Sequence, residues 1–158
     1  MADYPLHGDL LTSSGLATAR DRWGSALVAL AYPEACPLHP SYPAGQAVIA
    51  GACATVLKAA FDESFVVPEP VVAAPDGTRL LPWTGEALTV GGELDKLAAN
   101  IAIGRNFAGI HWRSDATAGL ALGEAVALAV LTEQALTGNE LFTGYSLQGF
   151  DGRRIRAG

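Results

Sequence analysis

The stretch Gly104-Arg105-Asn106-Phe107-Ala108-Gly109-Ile110-His111-Trp112-Arg113-Ser114-Asp115 constrains this chain most. It lies between two apolar, alanine-rich runs that should be helices, so a charged cluster has to be accommodated where they meet. It sets His111 six residues after Arg105 and Asp115 four residues after His111. Arginine presents a fixed fork of donors suited to a tetrahedral or planar oxyanion. Histidine serves as a metal ligand, a nucleophile or a proton carrier near neutral pH. Aspartate can orient a histidine ring and raise its basicity from behind. The alternative is a polar helix end, with Arg113 and Asp115 solvated and His111 a satisfied, half-buried ring.

Composition narrows the options. The chain's 158 residues suffice for one domain with a real core, and a single domain over 1–158 is expected. Half of them are apolar and only 16% are charged, with 18 glycines and many alanines. Close-packed helices, or helices with an additional interface to cover, fit such a chain. A net charge of −6 argues against nucleic acid as a partner, since phosphate backbones require a clustered basic surface. The only basic cluster, Arg153, Arg154 and Arg156, reads as a frayed polar end. Cys36 and Cys53 lack the spacing and companions of a zinc site and leave the redox compartment undecided. The first residues do not read as a signal peptide, so localisation is unknown and cytoplasmic by default. The longest apolar run, Ala116 to Val130, contains Gly119, Gly123 and Glu124 and reads as too short to span a membrane.

Periodicity and caps predict four helices. Ser13 or Ser14 can cap a helix over about 14–31 that Pro33 stops, with Leu16, Ala19, Trp23, Ala26, Leu27 and Leu30 at helical spacing. Pro33 to Pro43 is a rigid loop with four prolines in eleven residues. It delivers Pro43-Ala44-Gly45-Gln46 to a buried helix over 44–61. Proline suits the first turn, Gly45 lets a bound group approach the backbone, and the free N–H groups of a helix start favour an anion. Residues 62–90 read as a surface excursion with a small hairpin near 65–90. A third helix covers 92–106, with Leu94, Leu97, Ala98, Ile101 and Ala102 on one face. Ser114 is a good N-cap for a final helix over 114–136, in whose first turn Asp115 is favourable. A small terminal hairpin near 144–156 should contain Phe150-Asp151-Gly152.

Two separated motifs carry a resemblance. Leu38-His39-Pro40-Ser41-Tyr42-Pro43-Ala44-Gly45-Gln46-Ala47, followed by Gly104 to Asp115, resembles the C-terminal half of a vanadium-dependent haloperoxidase. Gly91-Gly92-Glu93-Leu94-Asp95-Lys96-Leu97-Ala98 and Phe150-Asp151-Gly152 extend the similarity over almost the whole chain. That family shares a helical fold and an oxyanion site with type 2 phosphatidic acid phosphatases and bacterial acid phosphatases. The resemblance implies a mainly α-helical bundle with small β-hairpins. It implies that His111 bonds to vanadium, or is the nucleophile in the phosphatases. Arg105 and the Gly45 backbone N–H would bind the equatorial oxygens, Asp115 would support the histidine, and His39 would lie near the cofactor. The implied chemistry is halide oxidation by hydrogen peroxide at a vanadate whose oxidation state does not change. Phosphate, with the same shape and charge, fits the same pocket.

The departures from the family pattern bear on activity. Where the family reads Pro-Ser-Gly-His, this chain has Pro43-Ala44-Gly45-Gln46. Ala44 lacks the hydroxyl that would bond the oxyanion. Gln46 donates a hydrogen bond but exchanges no proton at useful pH, and losing a general acid–base is worth about 10²–10⁴ in rate. The family's upstream lysine and arginine-proline are absent, and neither Lys58 nor Lys96 has the context to replace them. Weak activity of the chain alone is therefore expected, with a homo-oligomer or a second chain completing the site. The competing readings are a non-catalytic oxyanion-binding or assembly module, with or without a bound cofactor, and an acid phosphatase-like hydrolase using His111.

Overall fold

A computed structural model describes residues 8–26, 38–138 and 141–158. Their elements run α1 (Gly8–Leu11), α2 (Ser14–Trp23), α3 (Gly45–Ala60), β1 (Val71–Ala73), β2 (Leu80–Pro82), α4 (Val90–Phe107), α5 (Arg113–Thr137), β3 (Tyr145–Gln148) and β4 (Arg154–Ala157). The fold is mainly α, and the strands form two separate antiparallel hairpins, β1–β2 and β3–β4. In the second hairpin Leu147 faces Ile155, and the turn between the strands contains Phe150-Asp151-Gly152 as expected.

Small residues bring α3 and α5 together. A Cβ built at Gly123 would lie 2.1 Å from the Val48 carbonyl oxygen, and one at Gly119 2.7 Å from that of Ala44. From the other helix, a Cβ at Gly51 would lie 2.5 Å from the Leu120 carbonyl oxygen. These three glycines are therefore a packing requirement: any side chain there would drive the helices apart. α4 closes the core, with Ala98 against Ala50 and Ala54, and Ala102 against Ala44, Ala47 and Ala116.

The terminal hairpin is fastened by buried charge. The ammonium of Lys58, fully buried on α3, donates to Asp95 Oδ1 and the Gln148 carbonyl, both at 2.7 Å, and lies 4.7 Å from the centre of the Phe150 ring. Glu124 Oε1 accepts the Phe150 amide at 2.8 Å, and Glu63 accepts the Gln148 amide and pairs with Arg154. The C-terminal arginines are thus not a frayed end. Arg154 and Arg156 sit in β4, and Arg153 pairs with Asp151 at 2.5 Å, because nearby acids give them geometry that composition does not reveal.

Other expectations also need correction. The first helix, expected to reach about residue 31, ends at Trp23. Gly24 adopts the left-handed conformation (φ 65°) and returns its N–H to the Arg20 carbonyl, a standard helix stop. Residues 27–37, and with them Leu27, Leu30, Pro33 and Cys36, lie outside the described residues. α5 is capped through Trp112 rather than Ser114, since Asp115 Oδ2 accepts the Trp112 amide at 3.0 Å. Its full 25 residues are long and apolar enough to cross a membrane by length and composition, which the count over Ala116–Val130 missed. α5 nevertheless packs its Gly/Ala face on α3 and carries the buried Asp115. On α4, Ala98 and Ala102 are buried as expected, but Leu97 and Ile101 are 55% and 42% exposed. They line a groove of about 60 Å³ with Cys53 and Leu57 of α3.

Candidate functional site

Three helix ends meet around His111. Its backbone precedes α5, and its ring is buried, with the side chain only 1% exposed. Gly109, at φ 81°, turns the chain out of α4 into a conformation that glycine adopts without strain. The Ile110 amide returns to the Arg105 carbonyl at 3.1 Å, which ties His111 to the last turn of α4. The start of α3 is fixed to the same place, because the Ala44 amide donates to the Asp115 carbonyl at 3.0 Å.

Each residue singled out from the sequence has a definite position. Arg105 lies half-buried in the last turn of α4. Ala44 is fully buried as the N-cap of α3 and has no side-chain capping bond, so no side chain of its own covers the N–H groups of the first turn. Gly45 and Gln46 open that turn and are exposed. A Cβ added at Gly45 would meet nothing within 4 Å, so space remains in front of this backbone. The exposed His39 ring stands 6.5 Å from the His111 ring, and its Nδ1–H donates to the Pro40 carbonyl at 2.8 Å. The chain therefore brings His39 to His111 and joins the Ala44, Arg105 and Asp115 backbones around it.

Asp115 is the unexpected member. It is buried, yet Oδ2 lies 3.6 Å from His111 Nδ1, too far for a hydrogen bond, and this buried Nδ1 has no hydrogen-bond partner among the described residues. The carboxylate is engaged elsewhere: Oδ2 accepts the Trp112 amide at 3.0 Å and Oδ1 accepts the Ser114 hydroxyl at 3.1 Å. The Trp112 amide does most to hold its pKa below the ordinary carboxylate value. Burial opposes this, while the Ser114 and Ser41 hydroxyls and the nearby His111 add to it. Sequence reasoning missed these partners: it set Asp115 behind His111 and read Ser114 as an N-cap.

An imidazole, a guanidinium and helix-start amides are donor types that suit a tetrahedral oxyanion, and backbone hydrogen bonds join the His111 segment to the last turn of α4, which carries Arg105, and to the start of the 16-residue α3. Among the described residues no group of three or more His, Cys, Asp or Glu side chains could hold a metal ion. Lys58 adds no charge here, being committed to Asp95 and Gln148.

The comparisons with known proteins bear on the family and the fold. Residues 14–137 match the family model described as the VCPO second helical-bundle domain. A vanadium-dependent bromoperoxidase of Corallina officinalis is 47% identical over 133 residues, covering 84% of this chain and 22% of that protein. One from Ascophyllum nodosum is 42% identical over 128 residues, covering 75% of this chain and 23% of the relative. The homohexameric structure of the second vanadate-dependent bromoperoxidase of Ascophyllum nodosum superposes with a TM-score of 0.76 at 27% identity, over 99% of this chain and 34% of that one. The chain thus spans less than a quarter of the length of these curated relatives. The chain belongs to the vanadium-dependent haloperoxidase family.

Proposed function

We propose that this chain forms the oxyanion-holding part of a vanadate-dependent haloperoxidase site, with hydrogen peroxide and halide as substrates. The observation that carries the reading is the buried His111 ring, whose Nδ1 has no hydrogen-bond partner among the described residues, set beside the start of α3, where Ala44 makes no side-chain cap bond. In this reading His111 is the ligand, while Arg105 and the backbone amides of Gly45 and the following turn bind the oxygens. Asp115 holds the ensemble in place and His39 stands at the rim. Phosphate, having the same shape and charge, competes for these donors. When bound, vanadate supplies a Lewis-acid centre for oxidation of halide by peroxide.

The chain's own residues set the limits of that activity. Arg105 brings a permanent positive charge, and the Gly45 amide approaches an oxygen unhindered. Ala44 contributes no hydroxyl, and Gln46 orients an oxygen without giving or taking a proton. Turnover should therefore be about 10²–10⁴ below that of a site with a competent acid–base at this position. Completion by another copy of the chain, or by a second chain carrying further cations, fits the apolar faces left exposed on α3, α4 and α5. The substitutions at Ala44 and Gln46 favour one second reading, a non-catalytic module that binds an oxyanion or assembles with a partner.

Vanadium-51 NMR titration of the chain tests the proposal. Orthovanadate should bind and be displaced by inorganic phosphate, and His111→Ala should abolish binding. Gln46→His with Ala44→Ser should strengthen binding first and bromide oxidation second. Absence of binding to either anion would remove the reading, and binding without any bromide oxidation in the double variant would leave the module reading.

A further inference from the structure

We propose that the groove between α4 and α5 is a binding site for a small aliphatic carboxylate, with Arg113 taking the head group and an apolar floor taking the tail. The site is separate from the oxyanion donors and stands whether or not they bind vanadate.

One stripe of each helix builds the groove, which encloses about 400 Å³. On α5, Arg113, Ala116, Thr117 and Leu120 recur three and four residues apart and so share a face. The floor is Ala116 with Ala102 of α4, both buried and packed against Ala44 and Ala47 of α3. Their short side chains leave the depression, and the half-buried Leu120 and the exposed Ile103 flank it. No aromatic ring lines it, so the floor offers aliphatic contact and no stacking surface. A volume of this size, mostly apolar with few polar groups, is what a small ligand occupies.

Charge selects the head group. The chain carries a net charge of −6, yet no acid lines this groove and Arg113 is its one charged residue. Arg113 makes no ion pair with a described residue. The other polar members, Asn100 and Thr117, are neutral, and the Thr117 hydroxyl donates to the Arg113 carbonyl at 3.0 Å. The planar fork of a guanidinium matches a carboxylate. Because Arg113 is exposed, that pair alone binds weakly, and the tail has to supply most of the affinity. The short turn between α4 and α5 sets Arg113 and Ile103 at one end of the groove and Ala99 and Leu120 at the other. From Arg113 to Leu120 the α5 stripe rises about 10 Å, room for a chain of about eight carbons.

Titration of the full chain with octanoate, followed by nitrogen-15 amide NMR, tests the site. The Ala102, Ile103, Ala116 and Thr117 signals should shift and saturate with a dissociation constant of about 0.1–1 mM. Hexanoate should bind about tenfold more weakly, having lost two methylenes. Arg113→Gln should weaken octanoate about tenfold, Arg113→Lys should retain most of the affinity, and Ala99→Leu should abolish binding by filling the groove from an exposed position. Arg156→Gln, remote on β4, should change nothing. Absence of saturable binding, or equal affinity in Arg113→Gln, overturns the proposal. So do shifts centred on Val126 and Val130, which would mean adventitious binding to the α3–α5 face, and displacement by inorganic phosphate, which would put the carboxylate on the oxyanion donors. Groove signals that move with protein concentration and not with octanoate would give the groove to a second copy of the chain, and would overturn it as well.

Discussion

The closest backbone approach in the core gives the most direct test of how this fold positions its site. Replacing Gly123 by alanine adds one methyl group 2.1 Å from the Val48 carbonyl oxygen and 2.7 Å from the Ala52 amide nitrogen, whereas ordinary contact begins at 3.4 Å. Both obstacles are backbone of α3, so no side chain can rotate away, and the helices must separate by more than 1 Å at this point. Overpacking of this kind costs about 1–3 kcal/mol. Alanine recovers up to about 1 kcal/mol over glycine within a helix. The net expectation is a loss of about 1–2 kcal/mol, read as a fall in melting temperature of about 2–8 °C. Gly104→Ala is the matched control, because on α4 its new methyl meets nothing within 4 Å, and it should be neutral or stabilising. Urea unfolding followed by circular dichroism compares the two. Because the same displacement moves Ala44 relative to Asp115, oxyanion affinity should drop along with stability. A Gly123→Ala chain as stable as its parent, or a control that loses as much, would refute the close-packing argument.

Three further outcomes follow from the packing and the charges. Lys58→Ala leaves Asp95 without its cation and the Gln148 carbonyl without its donor, and should cost about 3 kcal/mol, near the lower end for a buried pair because Asp95 is 35% exposed; Lys58→Met should cost less, both read by urea unfolding. The pKa values of Asp62, Asp115 and Asp151 are held low, chiefly by the Ser64 hydroxyl, the Trp112 amide and the Arg153 side chain respectively. Their stabilisation is present above the unfolded-chain value of about 3.9 and is lost as pH falls through the lowered folded values, so urea midpoints should decline only below about pH 4; a midpoint that rises on acidification would contradict the assignment. Light scattering at micromolar concentration should give a mass well above 16.3 kDa, because Val56, Leu57, Val126 and Val130 line an apolar groove of about 410 Å³ between α3 and α5, and a sharp species at 16.3 kDa would refute self-association.

Local sequence specified the elements well where one residue type suffices. Ser13 accepts the Leu16 amide as an N-cap should, α3 starts one residue after the expected position, and the Phe150-Asp151-Gly152 turn lies between two paired strands. Pro43-Ala44-Gly45 marked a helix start, and α3 begins there with no side-chain cap bond from Ala44. Tertiary contacts decided the rest. Leu97 and Ile101 carry the same apolar signal as Ala98 and Ala102, but which of them is covered depends on what packs against α4. Ser114 is a better capping type than Trp112, yet Asp115 satisfies the Trp112 amide and shifts the start of α5. The resemblance implied that Asp115 supports the histidine, as an aspartate can from behind an imidazole ring. Its carboxylate instead serves the Trp112 amide and the Ser114 hydroxyl. The sequence records which donors and acceptors exist. The fold decides which acceptor each donor reaches, because a hydrogen bond depends on angstrom-scale distances between residues that may be far apart along the chain.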